Sequence, residues 1–137
     1  MAFFGELKYE KIEGKESFAG RPVYRLTEFF GYVCKRNSTF YIIYCHEGFE
    51  TDFASIPEWI FFVRPRNGKW MKASVIHDRA CIMARDKEVV IDPDFVMTYK
   101  LADQIFYEAM LEDEASLFTA NFMYFWCRAK HILYGQK

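Results

Sequence analysis

An excess of charge of one sign is the first thing that the sequence lacks. Its 18 basic and 19 acidic side chains leave a formal net charge of -1 at neutral pH. Proteins that bind nucleic acids or anionic membranes by electrostatic attraction carry a clear excess of lysine and arginine. Because the two signs nearly cancel here, we expect no nucleic-acid partner.

A long apolar run is also missing. The most membrane-like stretch covers residues 116–127, which is shorter than the roughly 20 residues of a membrane-spanning helix, and Arg128 follows it directly. The first residues contain neither a basic segment nor an apolar segment of the kind that directs export. We therefore expect no transmembrane segment and a protein that is made in the cytoplasm.

The cysteines Cys34, Cys45, Cys81 and Cys127 lack the regular spacing of a disulfide framework. In a reducing compartment, scattered cysteines are best interpreted as small buried hydrophobic residues with free thiols. The sequence also has no glycine-rich phosphate-binding loop, no internal repeat and no low-complexity tract. We therefore expect an ordered chain that is not built from repeats.

Aromatic side chains, in contrast, are abundant. They make up 20% of the 137 residues, with 15 Phe and 9 Tyr, and hydrophobic residues make up 52%. A chain of this length usually forms one core, so we treat residues 1–137 as a single domain. Its rings exceed what the closing of one core requires. We expect some of them to lie in an interface with other protein chains.

The order of the predicted elements indicates an α+β fold, because strand signals fill the first third of the chain and helical periodicity fills the rest. Residues 1–50 are mainly strands, residues 51–68 form a loop and a short helix, and residues 69–137 form the helical part. We expect a small N-terminal antiparallel β-meander followed by about three to four packed α-helices. The predicted strands cover residues 22–30, 31–36 and 39–45, and the predicted main helices cover residues 70–84, 98–111 and 115–133.

Candidate chemistry centres on the first two of these main helices. His77 lies on a helix face with small neighbours, and Asp103 shares its face with Tyr99 and other aromatic or apolar side chains. A carboxylate buried there alone would be strongly destabilising or would take up a proton, so it needs a partner. We predict a contact between His77 and Asp103, which would also fix the tautomer of the imidazole. This contact would belong either to an active or binding site or to a purely structural hydrogen-bond network.

Two further acids leave alternatives open. Asp78 points about 100° round the helix from His77, where it can bind a cation or cap a loop. Asp52 stands three residues before Ser55, and it either accepts hydrogen bonds from backbone N–H groups or reaches a metal shared with Asp78. Ser55 fits a helix start, and it lacks the surrounding pattern of a nucleophile elbow.

A zinc site is another alternative at the same helix. His77 and Cys81 have the i, i+4 spacing of two ligands on one helix face, and Cys45-His46 would complete a set of four. The pair Cys45-His46, however, lies at the end of a predicted strand without the knuckle spacing of structural zinc sites. The spacing therefore argues against this set.

Three segments carry a family resemblance: TDFASIP at residues 51–57, KASVIHD at residues 72–78 and LADQIFYEAM at residues 101–110. They resemble an uncharacterised family, domain of unknown function 1353, found mostly in tailed bacteriophages and prophages. Its members carry a GF-x-TD-x-AS-x-P segment, an HD-x-x-Y helix and an AD-x-x-F helix, and the resemblance covers most of the chain. One position departs from the pattern, because Cys81 stands where the family has tyrosine.

The HD and AD helices of that family are similar to the core of secreted and viral phospholipase A2 domains. This resemblance implies His77 as the general base for a water, Asp78 as a calcium ligand and Asp103 as the acid that orients the histidine. Asp52 would be a second ligand for calcium or another divalent cation, because the glycine-rich calcium loop of those enzymes has no counterpart here. The supporting residues are Thr51, Ser55 and Tyr99.

The phage resemblance, the small size and the ring excess favour a virion-associated accessory component of the tail, neck or baseplate region. Such a protein is made in the host cytoplasm, ends in the virion, and binds other phage structural proteins or further copies of itself. The alternative is a metal-assisted hydrolase, directed at lipids or at the cell wall, that uses His77, Asp78 and Asp103. A third hypothesis is a cytosolic protein that binds a host enzyme or defence protein.

Overall fold

The computed structural model describes residues 2–17, 20–36, 38–53, 70–88 and 96–136. Strands occupy the N-terminal part of these residues and helices occupy the C-terminal part, which confirms the predicted α+β class. The elements are β1 (Ala2–Phe4), β2 (Tyr9–Glu16), β3 (Pro22–Leu26), β4 (Phe30–Arg36), β5 (Thr39–Cys45), β6 (Glu50–Thr51), α1 (Met71–Asp86), α2 (Tyr99–Glu112) and α3 (Leu117–Leu133).

The strands form two antiparallel sheets of three strands each, in the orders β1-β4-β5 and β2-β3-β6. A continuous meander would pair β3 with β4, whereas here these two strands lie in different sheets. The cause lies at the end of β3, where the Leu26 N–H donates to the Phe49 carbonyl and the Leu26 carbonyl accepts from the Gly48 N–H, both at 2.9 Å. These bonds direct β3 towards β6 and leave β4 to pair with β5.

The hairpin of β4 and β5 supplies one wall of the core. Side chains alternate along both strands, as the period of two requires, so that Tyr32 and Ile43 point inwards while Ile42 and Tyr44 remain exposed. Helix α1 packs against β5 and against α2, and α2 packs against α3. The inner faces of this sheet and of α1 and α2 therefore enclose the main core.

The helix ends explain why the three predicted helices agree with the observed ones to within about two residues. Ser116 accepts a hydrogen bond from the Thr119 N–H at 3.1 Å at the start of α3, and Thr98 accepts one from the Leu101 N–H at 3.0 Å at the start of α2. Helix α1 ends at Lys87, whose φ of 54° is left-handed.

Several expectations concern residues 54–69, including Ser55 and the predicted short helix, and these lie outside the described residues. Among the described helices, none is long and apolar enough to cross a lipid bilayer. All four cysteines have free thiols, and three of them are buried, as expected for small hydrophobic residues.

Candidate functional site

Three helices converge on one buried carboxylate. Asp103 on α2 is fully buried, on a helix face whose other members, Ala102 and Phe106, also lie in the core. His77 on α1 and His131 on α3 are almost fully buried as well. Because α2 packs between α1 and α3, its inward-facing acid is within reach of side chains from both neighbouring helices.

The carboxylate of Asp103 accepts a charged or polar donor at each oxygen. His77 Nε2 lies 2.7 Å from Oδ1, so the contact that was predicted between His77 and Asp103 is present. His131 Nδ1 lies 2.7 Å from Oδ2, and Arg128 Nη1 donates to the same oxygen at 3.0 Å. These donors meet the need of a buried acid for partners, and the catalytic role given to His77 and Asp103 stays a prediction.

The donors also set the charge of the cluster. Burial alone would raise the pKa of Asp103, but the hydrogen bonds from His131 and His77 outweigh it and lower this pKa to about 2. For His77 the balance is reversed, because burial lowers its pKa more than the hydrogen bond to Asp103 raises it. At neutral pH the site therefore contains an ionised Asp103 and a neutral His77, with the ring proton of His77 on Nε2 towards the acid.

Two further side chains fix the imidazole of His77. The ring of Phe106 stacks on it with the centroids 4.6 Å apart and the planes inclined by 22°. The Cys81 Sγ, one turn along α1, lies 3.4 Å from His77 Nε2. Burial raises the pKa of the Cys81 thiol, so this side chain is a neutral thiol at neutral pH. Cys81 therefore lies directly beside the imidazole, one helical turn after His77.

Asp78 on α1 accepts a hydrogen bond from a residue of a β-sheet. Thr51 Oγ1 on β6 donates to Asp78 Oδ2 at 2.6 Å, and the same hydroxyl oxygen accepts from the Phe53 N–H at 3.2 Å. Phe53 has a left-handed φ of 55°, a strained conformation for a non-glycine residue, and its carbonyl accepts from Arg21 Nη1 at 3.0 Å. The Thr51-Asp52 turn is thus ordered around the acid on α1.

The environment of Asp78 disfavours its ionised form. Burial raises its pKa to about 6, the hydrogen bond from Thr51 opposes this shift, and the nearby charge of Asp52 adds to it. Among the described residues, no third ligand joins these two acids to form a metal-binding group. The predicted metal roles of Asp78 and Asp52 stay predictions.

A pocket of about 280 Å³ gives solvent access to this region. Acidic, basic, imidazole, thiol and phenol side chains line this pocket. Tyr99, one of the predicted supporting residues, supplies the phenol. The ring of Tyr99 lies 4.9 Å from that of His131, measured between centroids. The lining residues are His77, Asp78, Cys81, Ile82, Arg85, Tyr99, Lys130, His131 and Gln136.

His131 and Arg128 were not predicted as site residues, because no motif on the third main helix pointed to them. One signal was available: Met123, Cys127 and His131 follow each other at four-residue spacing and are all buried, which places the histidine on the core side of α3. In the part of the chain that the structure describes, Cys45 and His46 do not join His77 and Cys81 in a group of possible metal ligands, which agrees with the spacing argument against that zinc set. Cys45 is buried in the sheet, while the exposed His46 has its Nδ1 2.8 Å from the Glu47 carbonyl.

The chain matches the model of a known protein family. The model of a family described as "Protein of unknown function (DUF1353)" matches residues 24–126, a span that contains Thr51, His77 and Asp103. Neither the curated proteins nor the solved structures provide a match to this chain.

Proposed function

The chain belongs to the family of proteins of unknown function DUF1353, and we propose that it is an accessory structural component of a bacteriophage particle, in its tail, neck or baseplate region. The likeness of its sequence motifs to phage and prophage proteins supports the particle setting. In this proposal the protein docks on another structural protein through the outer face of α3.

The observation that carries the proposal is the apolar outer face of α3. Phe118, Phe125 and Ile132 follow each other at seven-residue spacing and are 78%, 65% and 65% exposed. Seven residues are almost two helical turns, so these side chains form one stripe along the helix. A monomer rarely leaves such a contiguous apolar surface in water. Further exposed apolar residues on or next to α3 are Leu117, Trp126, Leu133 and Tyr134.

The second exposed aromatic surface, on the hairpin of β4 and β5, is less available. Phe29 stacks on Tyr44 with the centroids 5.9 Å apart, and the Lys35 ammonium lies 5.8 Å from the centroid of the Phe40 ring. These side chains cover part of each other's apolar area. The face of α3 is therefore the better docking surface.

The chemistry of α3 specifies the partner. A stripe with heptad spacing fits the apolar stripe of another helix, by the packing found in coiled coils. We therefore infer that the partner presents an apolar helix, and that this helix belongs to another structural protein of the particle.

Mass spectrometry of purified particles tests the proposal. The protein is expected at a fixed copy number per particle, and its absence from particles would contradict the proposal. Gel filtration of the isolated protein adds a second result. A monomer is expected, whereas a dimer that a Phe125→Asp substitution dissociates would assign the α3 face to a second copy of the chain.

A metal-assisted hydrolase is the second candidate, favoured by the contact of His77 with Asp103 beside a pocket that Asp78 also lines. In this function His77 would act as the base, Asp103 would orient it, and Asp78 with Asp52 would bind calcium or another divalent ion. The test is hydrolysis of phospholipid vesicles and of cell-wall material with added calcium. Loss of activity in both His77→Ala and Asp78→Asn is expected, and equal activity of these variants and the wild type would contradict the candidate.

A further inference from the structure

One nitrogen of the buried cluster faces more groups than it can bond. His77 Nε2 lies 2.7 Å from Asp103 Oδ1 and 3.4 Å from Cys81 Sγ. A neutral imidazole nitrogen offers either one proton or one lone pair, so it cannot make full bonds to both neighbours. A cation placed between these three atoms would bind all of them.

We propose that His77, Cys81, Asp103 and His131 bind a divalent transition-metal ion, for which Zn²⁺ fits best. One ligand atom from each residue lies within 4.8 Å of the other three. Tetrahedral zinc, with bonds of about 2.0–2.3 Å, separates its ligand atoms by roughly 3.4–3.8 Å. The present separations run from 2.7 Å, below this range, through 3.4 Å, at its lower edge, to at most 4.8 Å, above it, so rotations of the side chains would admit the ion.

The donor types select the class of metal. Two imidazole nitrogens, one sulfur and one carboxylate oxygen suit zinc and its neighbours in the first transition row. Calcium takes oxygen ligands only, so this cluster does not fit the calcium that the phospholipase resemblance implied. Two neutral imidazoles, a thiolate and a carboxylate carry two negative charges together, which a divalent cation cancels.

Proton balance follows from the ligand chemistry. Metal binding replaces the proton of the Cys81 thiol, which is released to solvent. Each imidazole coordinates through the nitrogen that now faces Asp103, so its proton moves to the other ring nitrogen. Arg128 stays on Asp103 Oδ2 and orients the carboxylate, as groups around metal ligands commonly do.

The pocket supplies the route for the ion. His77, Cys81 and His131 all contribute to its lining, so the ligand atoms can be reached from solvent although two of the residues are buried. The metal site does not depend on the docking proposal. A zinc ion at this site would exclude His77 as a general base. Its Nε2 would bind the metal and no longer donate to Asp103, and its Nδ1 would carry the proton.

The test uses the full chain, stripped with a chelator and titrated with Zn²⁺, Co²⁺ and Ca²⁺. We expect one Zn²⁺ per chain by elemental analysis, a thiolate-to-Co²⁺ charge-transfer band in the near ultraviolet, and no response to Ca²⁺. The Cys81→Ser variant should lose the band and bind zinc at least ten-fold more weakly. In the wild type, zinc should also protect Cys81 from alkylation, which checks the site without a substitution.

The matched control is Cys127→Ser, since Cys127 is also a free thiol near the cluster and stands four residues before His131. This variant should keep both the cobalt band and the zinc affinity. The proposal is overturned if the wild type binds no stoichiometric zinc, if cobalt gives no thiolate band, or if Cys81→Ser binds zinc as tightly as the wild type.

Discussion

Asp103 is the residue on which the conformation of the site depends most. It was identified from sequence because an acid on an apolar helix face needs a partner, and the same argument selected His77. The argument could not supply His131 or Arg128, because they come from a helix 25 or more residues further along the chain. Only the packing of α3 on α2 reveals that this acid has three donors.

Replacement of Asp103 by asparagine should destabilise the metal-free protein strongly. The amide keeps the shape of the side chain but leaves the Arg128 guanidinium, whose side chain is only 15% exposed, without its counter-charge. We expect the free energy of unfolding to fall by about 3 kcal/mol. Urea denaturation measures it, with Asp86→Asn as the control, since Asp86 forms an exposed pair with Arg85 and its replacement should hardly change stability. Equal effects of the two substitutions would contradict this description.

Asp78 should have the opposite effect on stability, because its pKa is raised to about 6 in the folded protein from an ordinary value of 3.8. The folded state therefore binds more protons than the unfolded state between about pH 4 and pH 6, and stability falls as the pH rises through this window. Asp78→Asn keeps an acceptor for Thr51 and has no charge to bury.

The stability gain of Asp78→Asn over the wild type should therefore grow between pH 4 and pH 7, to about 1–2 kcal/mol after allowance for solvent screening. Urea denaturation of the metal-free proteins at these two pH values measures the difference. Asp86→Asn again serves as the control, since the pKa of exposed Asp86 is lowered by its hydrogen bond with Arg85. A gain that does not depend on pH would show that Asp78 is not held in a disfavoured ionised state.

At the scale of elements, the helices were predictable and part of the sheet was not. Periodicity and caps such as Ser116 define the helices locally. Strands β1 and β2 were not singled out, because β2 is mostly exposed and offers no alternating apolar pattern. Backbone pairing with β3 holds it instead, and the ring of Tyr9 packs against Tyr24 and Phe53. A local sequence pattern does not show which strands, distant along the chain, pair with each other.

The end of helix α1 offers a test at this scale. Lys87 adopts a left-handed φ of 54°, which is unfavourable for a residue with a Cβ atom and neutral for glycine. Lys87→Gly should therefore raise the free energy of unfolding by about 0.5–1 kcal/mol. Thermal or urea unfolding checks the sign.

The control for this change is Gln104→Gly, at an exposed position in the interior of α2. Glycine there should lower the free energy of unfolding by about 1 kcal/mol, because it loses more backbone freedom on folding. If both glycine variants destabilise the protein equally, α1 does not end in the conformation described.

At the scale of the whole molecule, α3 serves two purposes. Its inner face brings His131 and Arg128 to Asp103, and its outer face presents Phe118 and Phe125 to solvent. The sequence indicated a surplus of rings but not their position, because a stripe of aromatic residues on a helix fits a core as well as an interface. The positions of the buried Met123 and Cys127 on the same helix decide which side faces outwards.

The most direct test of the proposed function is the copy number of two variants in purified particles, measured by quantitative mass spectrometry. Phe125→Asp places a charge in the centre of the α3 stripe, and Ile42→Asp places one on the exposed side of β5. With both variants folded by circular dichroism, we expect Phe125→Asp to be depleted from particles at least ten-fold and Ile42→Asp to be incorporated like the wild type. Incorporation of Phe125→Asp at the wild-type copy number would contradict the proposal.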